Sequence, residues 1–217
     1  MLRGIVFDMD GVIIDSHPAH RLAWKSFLES LGRETCDEEL DFILEGCKRA
    51  EILRHFLGEL APEQIAEYGS RKDEILQKHS HTVQPIPGVV EFLGHVSEVG
   101  LRAGLATSAS RRRALGTLEE LGLARYFHTI VTGDDVTAGK PDPALYQLAA
   151  ERMQESPGHL LAVEDAASGV KSARAAGMRC LGVAPAQRAT LLREAGADLV
   201  IPDFRSFSFG QLEACFC

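Results

Sequence analysis

The stretch Arg3-Gly4-Ile5-Val6-Phe7-Asp8-Met9-Asp10-Gly11-Val12 decides the fold. A short apolar run stops at two carboxylates one residue apart, and a glycine follows. Such a run predicts a strand buried on both faces of a parallel sheet. The acids then stand at its carboxyl end, where open α/β sheets place their ligands. Residues i and i+2 of an extended chain point the same way, so Asp8 and Asp10 can converge on one point. Gly11 permits a turn or the close approach of an anion. Two uncompensated acids at a buried strand end are unfavourable, and a bound cation is the remedy. Mg²⁺, which takes a few protein oxygens and completes its shell with water and phosphate, suits the pair. Asp-x-Asp-Gly also occurs in turns and calcium loops, so these ten residues leave both readings open.

Downstream, Ser16 can cap a helix with Pro18 in its first turn. That helix runs to Leu31 and stops at Gly32. Trp24, Phe27, Leu28 and Leu31 form its apolar stripe, and His20 shares that face, either as a packed core residue or as a substrate-binding group facing a cleft. From Cys36 to His81 the chain is acidic and reads as helices over Glu38–Glu45, Arg49–Leu57 and Glu63–Lys78, with Gln84–Gly88 as a linker. Residues 15–84 therefore read as an all-helical insertion, and one that leaves and re-enters beside a strand end is well placed to be a lid.

After Gly88, helix and strand alternate. A helix over Val89–Val99 precedes a strand over Arg102–Ala106 that ends in Thr107-Ser108-Ala109-Ser110. Hydroxyls at a strand end before a helix make an anion cradle, although Ser110 as a plain N-cap explains part of the pattern. A strand over His128–Thr132 is followed by Lys140 in a Gly/Pro-bounded turn. A rigid turn can aim an ammonium at a phosphate, but a loop lysine on its own is also an ordinary surface residue. The strand Leu160–Val163 ends in a second acid pair, Glu164-Asp165, which could alternatively cap the helix Ala166–Ala176. Strands over Arg179–Val183 and Asp198–Ile201, with a helix over Ala189–Ala195 between them, complete the sheet.

The 217 residues, 45% hydrophobic and 25% charged, are enough for one α/β domain plus a small insertion. A net charge of −8 disfavours nucleic acid, which needs basic surface. No apolar stretch is long enough to span a membrane, and no signal-peptide pattern opens the chain. Five cysteines, an odd number without metal spacing outside the tail pair Cys215 and Cys217, read as reduced thiols in a cytoplasmic protein. A monomer is expected.

Taken together, the strand-end loops offer Asp8, Asp10, Thr107, Ser108, Lys140, Glu164 and Asp165. Carboxylates for Mg²⁺, hydroxyls and amides for phosphate oxygens, and a lysine to neutralise charge make a phosphoryl-transfer site. A carboxylate attacking phosphorus would form an aspartyl-phosphate.

In these motifs the chain resembles the haloacid dehalogenase superfamily, in the branch of β-phosphoglucomutase and phosphoglycolate phosphatase. Asp8-Met9-Asp10-Gly11-Val12, Thr107, Lys140-Pro141 and Glu164-Asp165 occur in the superfamily's order over nearly the whole chain. The resemblance implies a Rossmann-like parallel-sheet core, residues 1–14 and 85–217, with an inserted all-helical cap, residues 15–84. It implies Asp8 as nucleophile and Asp10 as general acid/base, with Thr107 and Lys140 binding the phosphoryl group. Asp8, Asp165 and the Asp10 carbonyl would ligate Mg²⁺, with Glu164 in or beside the metal shell. Ser108 and Ala109, together with His20, Arg49 and Glu45 from the cap, would contact substrate. Glu45 stands where mutases of this branch carry a lysine, and a carboxylate there repels a second phosphate. The expected activity is therefore a Mg²⁺-dependent phosphatase of small metabolites, sugar phosphates or phosphoglycolate-like acids. β-Phosphoglucomutase is the alternative, and inorganic pyrophosphatase a lesser one.

Overall fold

The structure, a computed structural model, describes residues 2–44, 47–79, 82–205, 207 and 210–211. The opening run forms β1 (Gly4–Phe7), in which every residue is buried. It is flanked by β4 (Arg102–Ala106) and β6 (Leu160–Glu164), and both pairings are parallel. With β5 (Phe127–Val131), β7 (Arg179–Val183) and β8 (Leu199–Ile201), the sheet has six strands in the order β5-β4-β1-β6-β7-β8. The chain builds outward from β1 through β4 to β5, then crosses to β6 on the other side. The carboxyl ends of β1, β4 and β6 therefore surround a topological switch point, where doubly wound sheets open a crevice.

Side-chain alternation along β1 assigns the two layers. Ile5 and Phe7 pack with Phe92, Leu93 and Val96 of α4 (Val89–Glu98) and with Ala114 and Leu118 of α5 (Arg111–Glu120). Val6 points the other way, toward Leu145 and Tyr146 of α6 (Ala144–Met153), Val170 of α7 (Ala167–Ala175) and Leu192 of α8 (Ala186–Ala195). A strand buried on both faces has no polar side, which is why it reads as continuously apolar.

Between β1 and β4 the chain forms α1 (His17–Ser30), α2 (Arg49–Leu57) and α3 (Pro62–Lys78). These helices close over an apolar cluster of their own, built on Trp24, Phe27, Leu28, Leu53 and Phe56. Two details differ from the sequence reading. The stretch expected as an α-helix over Glu38–Glu45 is a 3-10 helix over Glu39–Leu44. Its buried Leu40 and Ile43 are three residues apart, which a three-residue turn places on one face. The expected linker contains β3 (Gln84–Pro85), antiparallel to β2 (Ile14–Asp15), so the outgoing and returning chains are stitched together where the helical segment begins and ends. Two residues are too short to show any period, so the sequence carries no signal for this ribbon.

Gly11 sits at φ +74°, and a Cβ there would lie 2.3 Å from Asp165 Oδ2. Gly11→Ala is expected to destabilise the fold by about 1–3 kcal/mol, from left-handed backbone strain and this clash. Chemical denaturation of the two proteins measures the loss; equal midpoints would show that the turn tolerates a side chain.

Candidate active site

The site starts where β1 runs out. The Asp8 amide still donates to Val163 O at 2.9 Å, so the sheet holds its backbone while the side chain leaves the strand end. Lys140 arrives from the loop after β5 and is 1% exposed. Its Nζ donates to Asp8 Oδ1 at 2.8 Å and also pairs with Glu164 Oε1. Glu164, the last residue of β6, is fully buried and takes protein donors on both oxygens. Oε1 accepts from Tyr146 Oη at 2.8 Å, and Oε2 accepts from the amides of Asp165 at 3.1 Å and Ala166 at 3.3 Å. A Cβ at Gly169 would lie 2.0 Å from Glu164 Cδ, so the first turn of α7 needs a glycine to receive this carboxylate.

Asp8, Glu164 and Asp165 each present an oxygen, and these atoms all lie within 4.8 Å of one another. Asp165 Oδ2 is buried with His17 Nε2 3.1 Å away; burial would lower the imidazole pKa, but this pairing raises it. Three buried hard oxygens this close together fit a hard divalent cation such as Mg²⁺. Asp8 and Asp165 have the coordinating capacity, whereas Glu164 already serves Lys140, Tyr146 and two amides.

Asp10 lines the same cavity as Asp8, but its carboxylate is not among the three whose oxygens gather within 4.8 Å. The chain turns at Gly11, and Arg113 of α5 grips both Asp10 oxygens, one contact being 2.9 Å. Ser16 Oγ donates to Asp10 Oδ1 at 2.5 Å instead of capping α1, and His20 Nε2 lies 3.6 Å away. Thr107 and Ser108 follow β4 and line the same cavity as Ala109. Thr107 Oγ1 accepts from the Ala109 amide at 3.1 Å, while Ser110 does cap α5, accepting from the Arg113 amide.

The helical segment supplies the far wall. His20 and Arg49 line the cavity; Glu45 lies outside the described residues. Among the further lining residues, the ionisable Lys72, Asp73, Arg113 and His17 escaped the sequence reading. Lys72 and Asp73 sit in a polar helix that looks solvated throughout, and Arg113 ends an Arg-Arg-Arg run that looks the same. Yet Lys72 is 4% exposed, with Nζ 3.3 Å from His20 Nδ1 and over the Trp24 ring at 5.4 Å. Lys48, one residue before α2, donates to Val136 O at 2.7 Å and Thr137 O at 2.9 Å, tying the helical segment to the loop that carries Lys140.

The sequence model for haloacid dehalogenase-like hydrolases matches residues 5–183. The chain belongs to that family. It is 35% identical to a phosphorylated carbohydrates phosphatase of Thermotoga maritima over 84% of this chain and 85% of that protein. It is 30% identical to β-phosphoglucomutase of Bacillus subtilis over 92% of this chain and 89% of the relative. A crystal structure of β-phosphoglucomutase from Clostridium difficile superposes with a TM-score of 0.88, covering 100% of this chain and 97% of that one at 22% identity, a likeness of fold.

The electrostatics of this haloacid dehalogenase-like site follow from burial and pairing. Burial pushes the Asp8 carboxyl up, and neighbouring Glu164, Asp165 and Asp10 add to the push against Lys140; a bound cation offsets it. Burial alone would lower Lys140, but Asp8 and Glu164 outweigh it and hold the ammonium protonated. Burial would also raise Asp10, but Arg113, with His20 and Ser16, holds its carboxyl far below the usual range. Lys72 is brought down to about 7, chiefly by burial and next by Arg113.

Lys72 is thus charged below pH 7 and neutral above it. An ammonium helps hold an anionic ester and a neutral amine does not, so KM for a phosphate ester should rise as pH goes from 6 to 8. Lys72→Met should raise KM about tenfold at pH 6 and flatten the profile. Initial-rate kinetics across that range test this; an unchanged profile in the variant would remove Lys72 from substrate binding.

Proposed function

We propose that this hydrolase is a Mg²⁺-dependent phosphatase of small phosphorylated carbohydrates, acting through an aspartyl-phosphate on Asp8. The observation that carries the reading is the Lys140 ammonium placed between Asp8 and Glu164 beside Asp165, at the sheet's switch point. The name of the 35% identical Thermotoga maritima relative, a phosphorylated carbohydrates phosphatase, supports it.

In this reading an Asp8 oxygen attacks phosphorus and forms an O–P bond as the ester oxygen leaves. Asp10, which takes up a proton once released from Arg113, donates it to the leaving oxygen. Asp10 then accepts a proton from water, whose oxygen attacks phosphorus and breaks the Asp8–phosphorus bond, so phosphate departs and Asp8 is regenerated. Thr107 and Lys140 hold the phosphoryl oxygens, with Ser108 and Ala109 shaping the cavity beside them. Glu164 fixes the Lys140 ammonium with two backbone amides behind it. Asp8, Asp165 and the Asp10 carbonyl, with Glu164 beside them, would hold Mg²⁺, which would supply positive charge against the phosphoryl group. Residues 15–84 act as a cap over the reaction, contributing His20, Arg49 and Lys72.

Phosphate release from a panel of sugar phosphates, phosphoglycolate and pyrophosphate, with EDTA and with added Mg²⁺, is the direct test. Hydrolysis should vanish on chelation and return with Mg²⁺, and Asp8→Asn should lower kcat by roughly 10³-fold or more while leaving thermal unfolding cooperative. Retained turnover in that variant would overturn the nucleophile assignment. Glucose 6-phosphate forming from β-glucose 1-phosphate faster than free phosphate would make the enzyme a mutase.

A further inference from the structure

The phosphatase reading leaves the organic half of the substrate open, and two features of the cavity bear on it. The first is that its cations are already matched. Arg113 grips Asp10 and Lys140 sits on Asp8 and Glu164. Arg49 Nη2 is 2.6 Å from Asp73 Oδ2, and Lys72 Nζ is 3.7 Å from Asp73 Oδ1. The Arg49 pairing is prepared by the backbone: a Cβ at Gly69, one turn before Asp73 on α3, would lie 2.5 Å from Arg49 Cδ. Glycine there lets the arginine stem lie across the helix and reach the aspartate. A second acidic group on a substrate would have to displace a resident carboxylate to find an arginine.

The second feature is an acceptor that has an ammonium at ion-pair distance but makes no hydrogen bond. Asp73 lines the cavity, its Oδ2 is taken by Arg49, and its Oδ1 is buried with no hydrogen bond. A buried carboxylate oxygen in that state is unfavourable until a donor reaches it. A hydroxyl can supply that donor. A substrate carboxylate or second phosphate would set one anion against another.

We propose that Asp73 is a specificity residue whose Oδ1, ion-paired with Lys72 but without a hydrogen bond, accepts a hydroxyl of the substrate, so that the ester carries a neutral polyol, a sugar or sugar alcohol, and not an acid. This rests on the phosphatase reading and narrows it. Sites that hydrogen-bond a substrate hydroxyl discriminate strongly against analogues lacking it, because the buried partner is then left unpaired.

The test compares kcat/KM for a hexitol phosphate and for phosphoglycolate in the Mg²⁺-loaded full chain. The wild type should favour the hexitol ester by at least about tenfold. Asp73→Asn removes the charge and releases Arg49, so the selectivity ratio should fall by tenfold or more, with the change mainly in KM. Asp73→Ala, which deletes the acceptor, should shift the ratio in the same direction. Loss of folded enzyme cancels in the ratio, so partial misfolding cannot mimic the effect. A wild type that prefers phosphoglycolate, or variants that lose activity on both esters in equal proportion, would overturn this inference while leaving the phosphatase reading intact. A wild type that hydrolyses neither ester nor any other phosphomonoester would overturn both.

Discussion

The buried pairing of Lys140 with Asp8 and Glu164 is the constraint on which the rest of the site depends. An ammonium that is 1% exposed is tolerable only with carboxylates against it, and carboxylates that deep are tolerable only with cations against them. Each partner comes from a different part of the chain: the end of β1, the end of β6 and the loop after β5. The sheet order brings these ends together, so the fold and the charge cluster specify each other. Removing one partner would leave an uncompensated buried charge, which is far more damaging than losing an exposed ion pair.

A second layer of interactions holds that cluster in place. Tyr146 and two amides complete Glu164. Gly169 gives Glu164 room, and Gly11 leaves space beside Asp165. None of these residues carries chemistry of its own, yet each sets where a charged atom can sit. Asp10 belongs to a different network. Arg113, Ser16 and His20 hold its carboxylate against α5 and α1. The same network reaches Lys72 through His20 and Asp73 through Lys72, which links the strand-end acids to α3.

The helical segment and the sheet domain have separate apolar cores, joined by the short β2–β3 ribbon. Polar contacts supplement that joint: Lys48 reaches the carbonyls of Val136 and Thr137, and Arg188 lies 3.5 Å from Leu44 O. Contacts of this kind exchange readily with water, unlike buried apolar surface, and they suit a boundary that opens and closes.

What the sequence determined by itself was local. The apolar strand, the alternation of helix and strand after Gly88, and acids, hydroxyls and a lysine at strand ends are all short-range patterns, and they were legible together with the α/β class and the helical insertion. The charged wall of the cavity was not legible. Lys72, Asp73 and Arg113 sit on helices whose sequences look solvated, because burial of a polar residue depends on which distant element packs over it and leaves no mark on nearby spacing. The two-residue ribbon, the 3-10 turn over Glu39–Leu44 and the capture of Asp10 by Arg113 likewise depended on long-range packing. Tertiary structure alone decided which carboxylate meets which cation, since charge pairing acts through space and a linear pattern records only neighbours along the chain.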